Sequence, residues 1–287
     1  MAVTQGAMPL RHVTAGTADR SRIVALVVGR RERARLAGAL ASQYQVAFAA
    51  TLDELRLTLA VAESALLIAE PRDSIGAVSA PLLRELRAKQ PDLPLIGYCG
   101  MTRDEPRDIL DLAGSGVHEL LLAHATDSPF AIQQTVRSAV RLCAGAALVE
   151  RVRGLVSREI QLVVDYCLNY PKEARTVSAV ARALGIHRKT LVNRCQRAGV
   201  PVPGAVIGWC RLLIAAQLVR SQVGSVETVA MLLEFPSATA LRNMLKRYTG
   251  MRPTDVRETI GFDRMVGMFA AALGGAAGAE RVAKQMA

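Results

Sequence analysis

Aromatic side chains make up only 4% of the 287 residues, and Trp209 is the single tryptophan. A core built from such a chain must rely on Ala, Leu, Val and Ile, which argues against an aromatic-rich secreted fold. Cysteine is sparse and scattered. Cys99, Cys143, Cys167, Cys195 and Cys210 contain no C-x-x-C pair and are odd in number, so a disulfide framework or zinc ribbon is not expected. Four histidines lie far apart, leaving no legible metal-ligand set and no reason to expect a cofactor. Long apolar runs are also missing. The longest are broken, as by Arg211, or are Ala/Gly-rich near 270–279, and the N-terminal residues lack the apolar stretch of a signal peptide. The expectation is a cytoplasmic protein without a membrane span. Apolar residues still reach 51%, too many for a disordered chain, and the length suits two domains better than one.

Acidic excess is lacking everywhere, and basic excess sits in one place. Residues 1–150 hold 16 basic and 16 acidic side chains, whereas residues 151–262 hold 17 and 7. The remaining 25 residues add 3 and 2, so nearly all of the +11 belongs to one segment of 112 residues. A basic segment beside a neutral one points to a polyanionic partner, against the plainer reading of a solvated basic face.

The neutral half alternates. Ile23–Val28 is a short β-branched run of the kind buried on both faces of a sheet, followed by a helix over Arg31–Ser42. Further strands are read at Gln45–Ala49, Ala65–Ala69, Leu95–Tyr98 and Val117–Leu122, and further helices at Pro81–Lys89 and Glu105–Leu112. Thr51 opens the second helix as N-cap, with Glu54 completing a capping box. Asp127 or Ser128 caps a long helix reaching about Val152, with Pro129 in its first turn. Five β–α units in about 130 residues predict a parallel, doubly wound sheet of flavodoxin-like order.

The runs "PLIGYCG" and "GVHELLLAH" resemble the fourth and fifth strands of response-regulator receiver domains. That resemblance implies an acidic pair after strand one, an Asp phosphoacceptor after strand three, a Ser/Thr after strand four and a Lys after strand five. Here Gly29, Arg30 and Arg31 follow the first strand, and Glu70 the third. Cys99 ends the fourth, and Ala123 stands at the lysine position. Two arginines would repel Mg²⁺ rather than bind it. The expectation is a pseudo-receiver that works without phosphorylation, in which Arg30 and Arg31 pair with Glu70. Asp73 lies past the strand, in a turn.

From Ser157 the pattern becomes all-helical. Arg158–Asn169 reads as an amphipathic helix stopped by Pro171. Thr176 then precedes "VSAVARALG", and a tight turn at Gly185 leads into "IHRKTLVNRCQRAG", a helix-turn-helix arrangement. A second copy follows about 49 residues on, where Ser225 caps "VETVAMLLEF" and Ser237 starts "ATALRNMLKRYTG". A long helix over Ala205–Ser221 joins the two as a strut. An apolar stretch, Phe262–Leu273, reads as a short docking helix.

Arg211, Ala230, Phe235, Lys246, Gly250, Pro253 and Arg257 fall in the order and spacing of the AraC/XylS family DNA-binding domain, which residues 157–260 resemble. Glu234 departs from that pattern, standing where a Gly precedes Phe235. Leu241 and Leu245 replace common aromatics, and the first unit is as similar to the Fis-type helix-turn-helix. On the first unit, Arg188, Lys189 and Asn193 are the candidates for base edges, and Thr190, Arg194 and Arg197 for phosphates. On the second, Thr239, Arg242 and Asn243 face the groove, and Lys246 and Arg247 suit the backbone. Arg211 and Arg257 are alternatively internal ion-pair residues, with Asp255 or Glu227 as partners, and Trp209 is read as core.

The organisation expected is a flexible leader over 1–21, an α/β pseudo-receiver over 22–127 and a connecting helix over 128–156. A seven-helix double helix-turn-helix domain follows over 157–260, then a short helix and Ala/Gly-rich tail over 261–287. The function expected is that of a sequence-specific transcription regulator, not an enzyme, bound to promoter DNA as a homodimer, with RNA polymerase as a further candidate partner. The alternatives are a phosphorelay regulator using Asp73 or another acid, a non-specific nucleoid protein and an enzyme with Cys99 as nucleophile. The last lacks any His or Asp at activating spacing.

Overall fold

The computed structural model describes residues 21–62, 64–101, 104–221 and 225–274. The expected leader over 1–21, apart from Ser21, and the tail from 275 lie outside them. Five strands form one parallel sheet: β1 (Ser21–Leu26), β2 (Tyr44–Ala49), β3 (Leu66–Ala69), β4 (Leu95–Cys99) and β5 (Glu119–Leu122). Their order is β2-β1-β3-β4-β5, the doubly wound arrangement that the alternation predicts. β1 ends two residues before Val28, because its ladder with β3 closes at Leu26 opposite Ala69.

The period of two along each strand divides the sheet into two apolar faces. Ile23, Ala25, Ile68, Ile96 and Tyr98 face one core, with α1 (Arg30–Leu40) and α5 (Pro129–Val152) packed over it. Val24, Leu26, Leu67, Leu95 and Cys99 face the other, under α2 (Leu52–Val61), α3 (Ala80–Lys89) and α4 (Pro106–Ala113). Thr51 caps α2 by accepting from Glu54 N–H at 3.2 Å. The Glu54 carboxylate reaches one residue further than the box requires, to Ala50 N–H at 2.7 Å. Ser128, not Asp127, caps α5, accepting from Ala131 N–H at 3.2 Å. Asp127 turns inward instead, to the Tyr98 hydroxyl at 2.9 Å and to Arg35.

A 3-10 turn (Arg158–Ile160) and seven α-helices follow among the described residues: α6 (Gln161–Asn169), α7 (Val177–Ala183), α8 (Arg188–Arg197), α9 (Pro203–Arg220), α10 (Val226–Leu232), α11 (Ala238–Thr249) and α12 (Thr259–Leu273). The tight Ser157–Ile160 turn shortens the predicted Arg158–Asn169 helix from its N-terminal side. α9 is buried almost all round, which accounts for its lack of an amphipathic stripe.

α5 is more than a connector. Its first half covers the sheet through Ile132, Val136 and Ala139, and its second half packs Leu148, Val149 and Val152 against the helical part, where α6 and α9 meet it. The crossing with α6 is close enough that a Cβ on Gly145 would stand 2.3 Å from the Leu168 carbonyl oxygen. One continuous apolar core therefore runs from β1 through α5 to α12.

Candidate nucleic-acid interface

The two helix-turn-helix units are built alike. Thr176 Oγ1 accepts from Ala179 N–H at 3.1 Å to start α7, and Ser225 Oγ accepts from Thr228 N–H at 3.2 Å to start α10. At the turns, Gly185 N–H donates to Arg182 O and Ile186 N–H to Ala181 O. Glu234 N–H donates to Met231 O and Phe235 N–H to Ala230 O in the same way. Both turn residues lie in the left-handed region, Gly185 at φ 63° and Glu234 at φ 52°. A side chain there costs roughly 1–2 kcal/mol that a glycine would not. The sequence signals that turn as a departure; the backbone resolves it by placing Glu234 itself in the strained region.

α8 begins at His187, whose Nδ1 accepts from Lys189 N–H at 3.2 Å, and α11 begins at Ser237, whose Oγ accepts from Ala240 N–H at 3.0 Å. Leu191 and Cys195 bury one side of α8, and Leu241 and Leu245 one side of α11. Both helices rest on α9. At the α11 contact Gly208 admits the Tyr248 ring, and Trp209, buried as read from the sequence, meets that ring edge-on at 5.2 Å.

With those faces inward, Arg188, Lys189, Thr190, Asn193 and Arg197 on α8 are exposed and Arg194 is half-buried. Thr239, Arg242, Asn243, Lys246 and Arg247 on α11 are exposed as well. Two of these arginines carry carboxylate partners that the sequence does not reveal. Arg242 pairs with Glu227 of α10 at 2.5 Å, and Arg197 lies 3.5 Å from Glu159. The hydrogen bond from Arg242, helped by Ser225, holds the Glu227 carboxyl below its usual range. Glu227 is thus Arg242's partner rather than that of Arg211 or Arg257. Asp255 accepts from Arg252 N–H at 2.7 Å. Arg211 instead closes the end of α10, donating to Leu233 O at 2.9 Å with its guanidinium 4.4 Å from the centre of the Phe235 ring.

The strand ends of the α/β part hold a different chemistry. Arg30 and Arg31 are exposed in the first turn of α1. Glu70, next after β3, is buried, and its Oε2 accepts from Val28 N–H at 2.8 Å. Cys99 ends β4 in the core, and Ala123, just beyond β5, donates its N–H to the Cys99 carbonyl at 2.8 Å. Asp73 is spent on the loop: its carboxylate accepts from Leu52, Ile75 and Ala77 N–H at 3.0, 3.0 and 2.9 Å.

A family model described as a helix-turn-helix domain matches residues 180–259, running from within α7 to the start of α12. The C-terminal region therefore carries a helix-turn-helix domain of the AraC type, which implies DNA-binding transcription regulation. No curated protein matches the chain. Solved structures similar to it include a two-component response regulator from Clostridium difficile, at 17% identity over 42% of this chain and 97% of that one, with a TM-score of 0.37. A CheY-like protein (tadZ) from Pseudomonas aeruginosa PAO1 is 24% identical over 42% and 99%, with a TM-score of 0.34. Full-length FixJ from B. japonicum is 15% identical over 79% and 96%, with a TM-score of 0.34. No helix among the described residues is long and apolar enough to cross a membrane.

Proposed function

We propose that this chain is a sequence-specific DNA-binding transcription regulator whose receiver-like part acts without phosphorylation. The observation that carries this reading is the pair of similarly built units whose second helices, α8 and α11, bury one side on α9 and leave arginine, lysine, asparagine and threonine outward. Arg188, Lys189 and Asn193, with Thr239, Arg242 and Asn243, read base edges in the major groove, where Arg suits guanine and Asn suits adenine. Thr190, Arg194, Arg197, Lys246 and Arg247 hold phosphates and set the register.

Phosphorylation independence is supported by the commitment of Glu70 to a strand-end amide and of Asp73 to three loop amides. Phosphorylating Asp73 would sacrifice the turn that orders the start of α2. We further propose a cytoplasmic homodimer at promoter DNA, contacting RNA polymerase there. The division into a module over 22–127, a helix over 128–156 and a DNA-binding domain over 157–260 is part of the same proposal.

The test is equilibrium binding of the full chain to a mixed-sequence duplex as salt is raised. The four cationic phosphate contacts predict a slope of log K against log salt of about −4. A flat dependence overturns the reading.

A further inference from the structure

Glu234 stands at a turn that glycine would make without strain, as Gly185 makes the equivalent turn of the first unit. Its side chain is engaged elsewhere. The carboxylate lies 2.8 Å from Arg175 and 3.2 Å from Lys172, both in the segment that leads into α7 of the first unit. Its carbonyl oxygen is 3.5 Å from the guanidinium of Arg211, which is anchored to the end of α10 and the face of Phe235. Arg141 of α5 also feels this carboxylate. Burial pushes its guanidinium below the ordinary value, while Glu173, Glu234 and Glu119 act against that shift. One side chain at the turn of the second unit thus ties it to the entry of the first, beside the strut on which both rest.

We propose that Glu234 is a positioning residue that fixes the two helix-turn-helix units relative to one another, and so fixes the spacing between the two DNA elements the chain accepts. The second half of this statement rests on the DNA-binding reading above. A residue kept for the turn alone would be replaced by glycine without loss. A residue kept for the tie would not: glycine relieves the backbone yet releases Arg175 and Lys172. Stability and positioning therefore respond differently to Glu234→Gly, which separates a positioning role from a merely structural one.

The experiment uses the full chain without DNA first. Spin labels at Gln196→Cys on α8 and Met231→Cys on α10 report the separation of the units, since both sites are exposed and the five native cysteines are buried. A narrow distance distribution is expected for the parent. Broadening or a shift is expected for Glu234→Gly and for Glu234→Gln, which keeps the shape but not the charge, with melting temperature unchanged or raised in the glycine variant. The second arm uses the duplex that the full chain enriches from a random pool, with its two elements at the selected separation or moved apart by about 2 base pairs. The parent should prefer the selected separation roughly tenfold, and Glu234→Gly should lose most of that preference. Unchanged distances, or an unchanged spacing preference, in Glu234→Gly overturn the proposal. A parent that binds no duplex overturns the DNA-binding reading instead, while the distance measurement still decides the role of Glu234.

Discussion

Arg188 and Asn193 project from α8 with no packing role, so their removal should leave folding intact and act on DNA alone. Each alanine substitution is expected to weaken binding to the selected duplex by about 1–3 kcal/mol and to relax the base preference at one position, read by competition with single-base variants. Lys246→Ala should weaken all duplexes alike and make the salt slope shallower by about 1. His118 tests a different balance. Its Nδ1 accepts from Leu95 N–H at 3.0 Å, and burial, with Arg87 nearby, lowers its pKa to about 4. The folded state thus resists protonation that the unfolded chain accepts near pH 6.5. The contribution is whole above that value and is lost as pH falls from about 6.5 toward 4, by about 1–2 kcal/mol after allowing for its partial exposure. His118→Asn, which keeps an acceptor for Leu95, should flatten the fall in melting temperature over that window. The exposed basic residues were legible in the sequence because a helical stripe sorts them from Leu191 and Cys195. The partners Glu227 and Glu159 were not, since ion pairs between separate elements leave no local pattern.

The elements show why position matters more than propensity at the domain junction. α5 is long because it serves two neighbours, the sheet on one side and α6 with α9 on the other. Gly145 marks the closest approach, where an added methyl meets backbone that cannot turn aside. Gly145→Ala is therefore expected to destabilise the chain by about 1–3 kcal/mol, measured by denaturant unfolding, despite alanine's better helix propensity. Most element types were readable from apolar period and caps. Thr51, Ser128, Thr176, Ser225 and Ser237 each accept the hydrogen bond that their sequence position suggests. Boundaries were less readable where pairing sets them, as at the end of β1. The joint role of α5 was hidden, because a buried stripe does not say which surface buries it.

At the scale of the whole molecule, a neutral α/β part and a basic helical part share one core, with the exposed basic residues of α8 and α11 left uncovered. Ion pairs cross the junction as well, Arg151 with Asp263 and Arg220 with Asp92 at 3.4 Å. A fragment beginning at residue 157 would expose the side of α6 and α9 that Leu148, Val149 and Val152 cover. It is expected to lack the cooperative thermal transition, followed by circular dichroism, that is expected of the full chain. Incubation with acetyl phosphate and Mg²⁺ should add no phosphoryl mass to the intact chain; a gain at Asp73 or Glu70 would contradict a phosphorylation-independent receiver. The fold class and the site of charge were legible here from the block count and the alternation of elements. The shared core was not, because it depends on contacts between distant segments. The account rests on two units reading one duplex, and selection of bound duplexes from a random pool by the full chain tests it most directly. It predicts an enriched motif of two elements separated by about one helical turn of 10–10.5 base pairs. A pool that emerges without a motif, or with one element only, would contradict it.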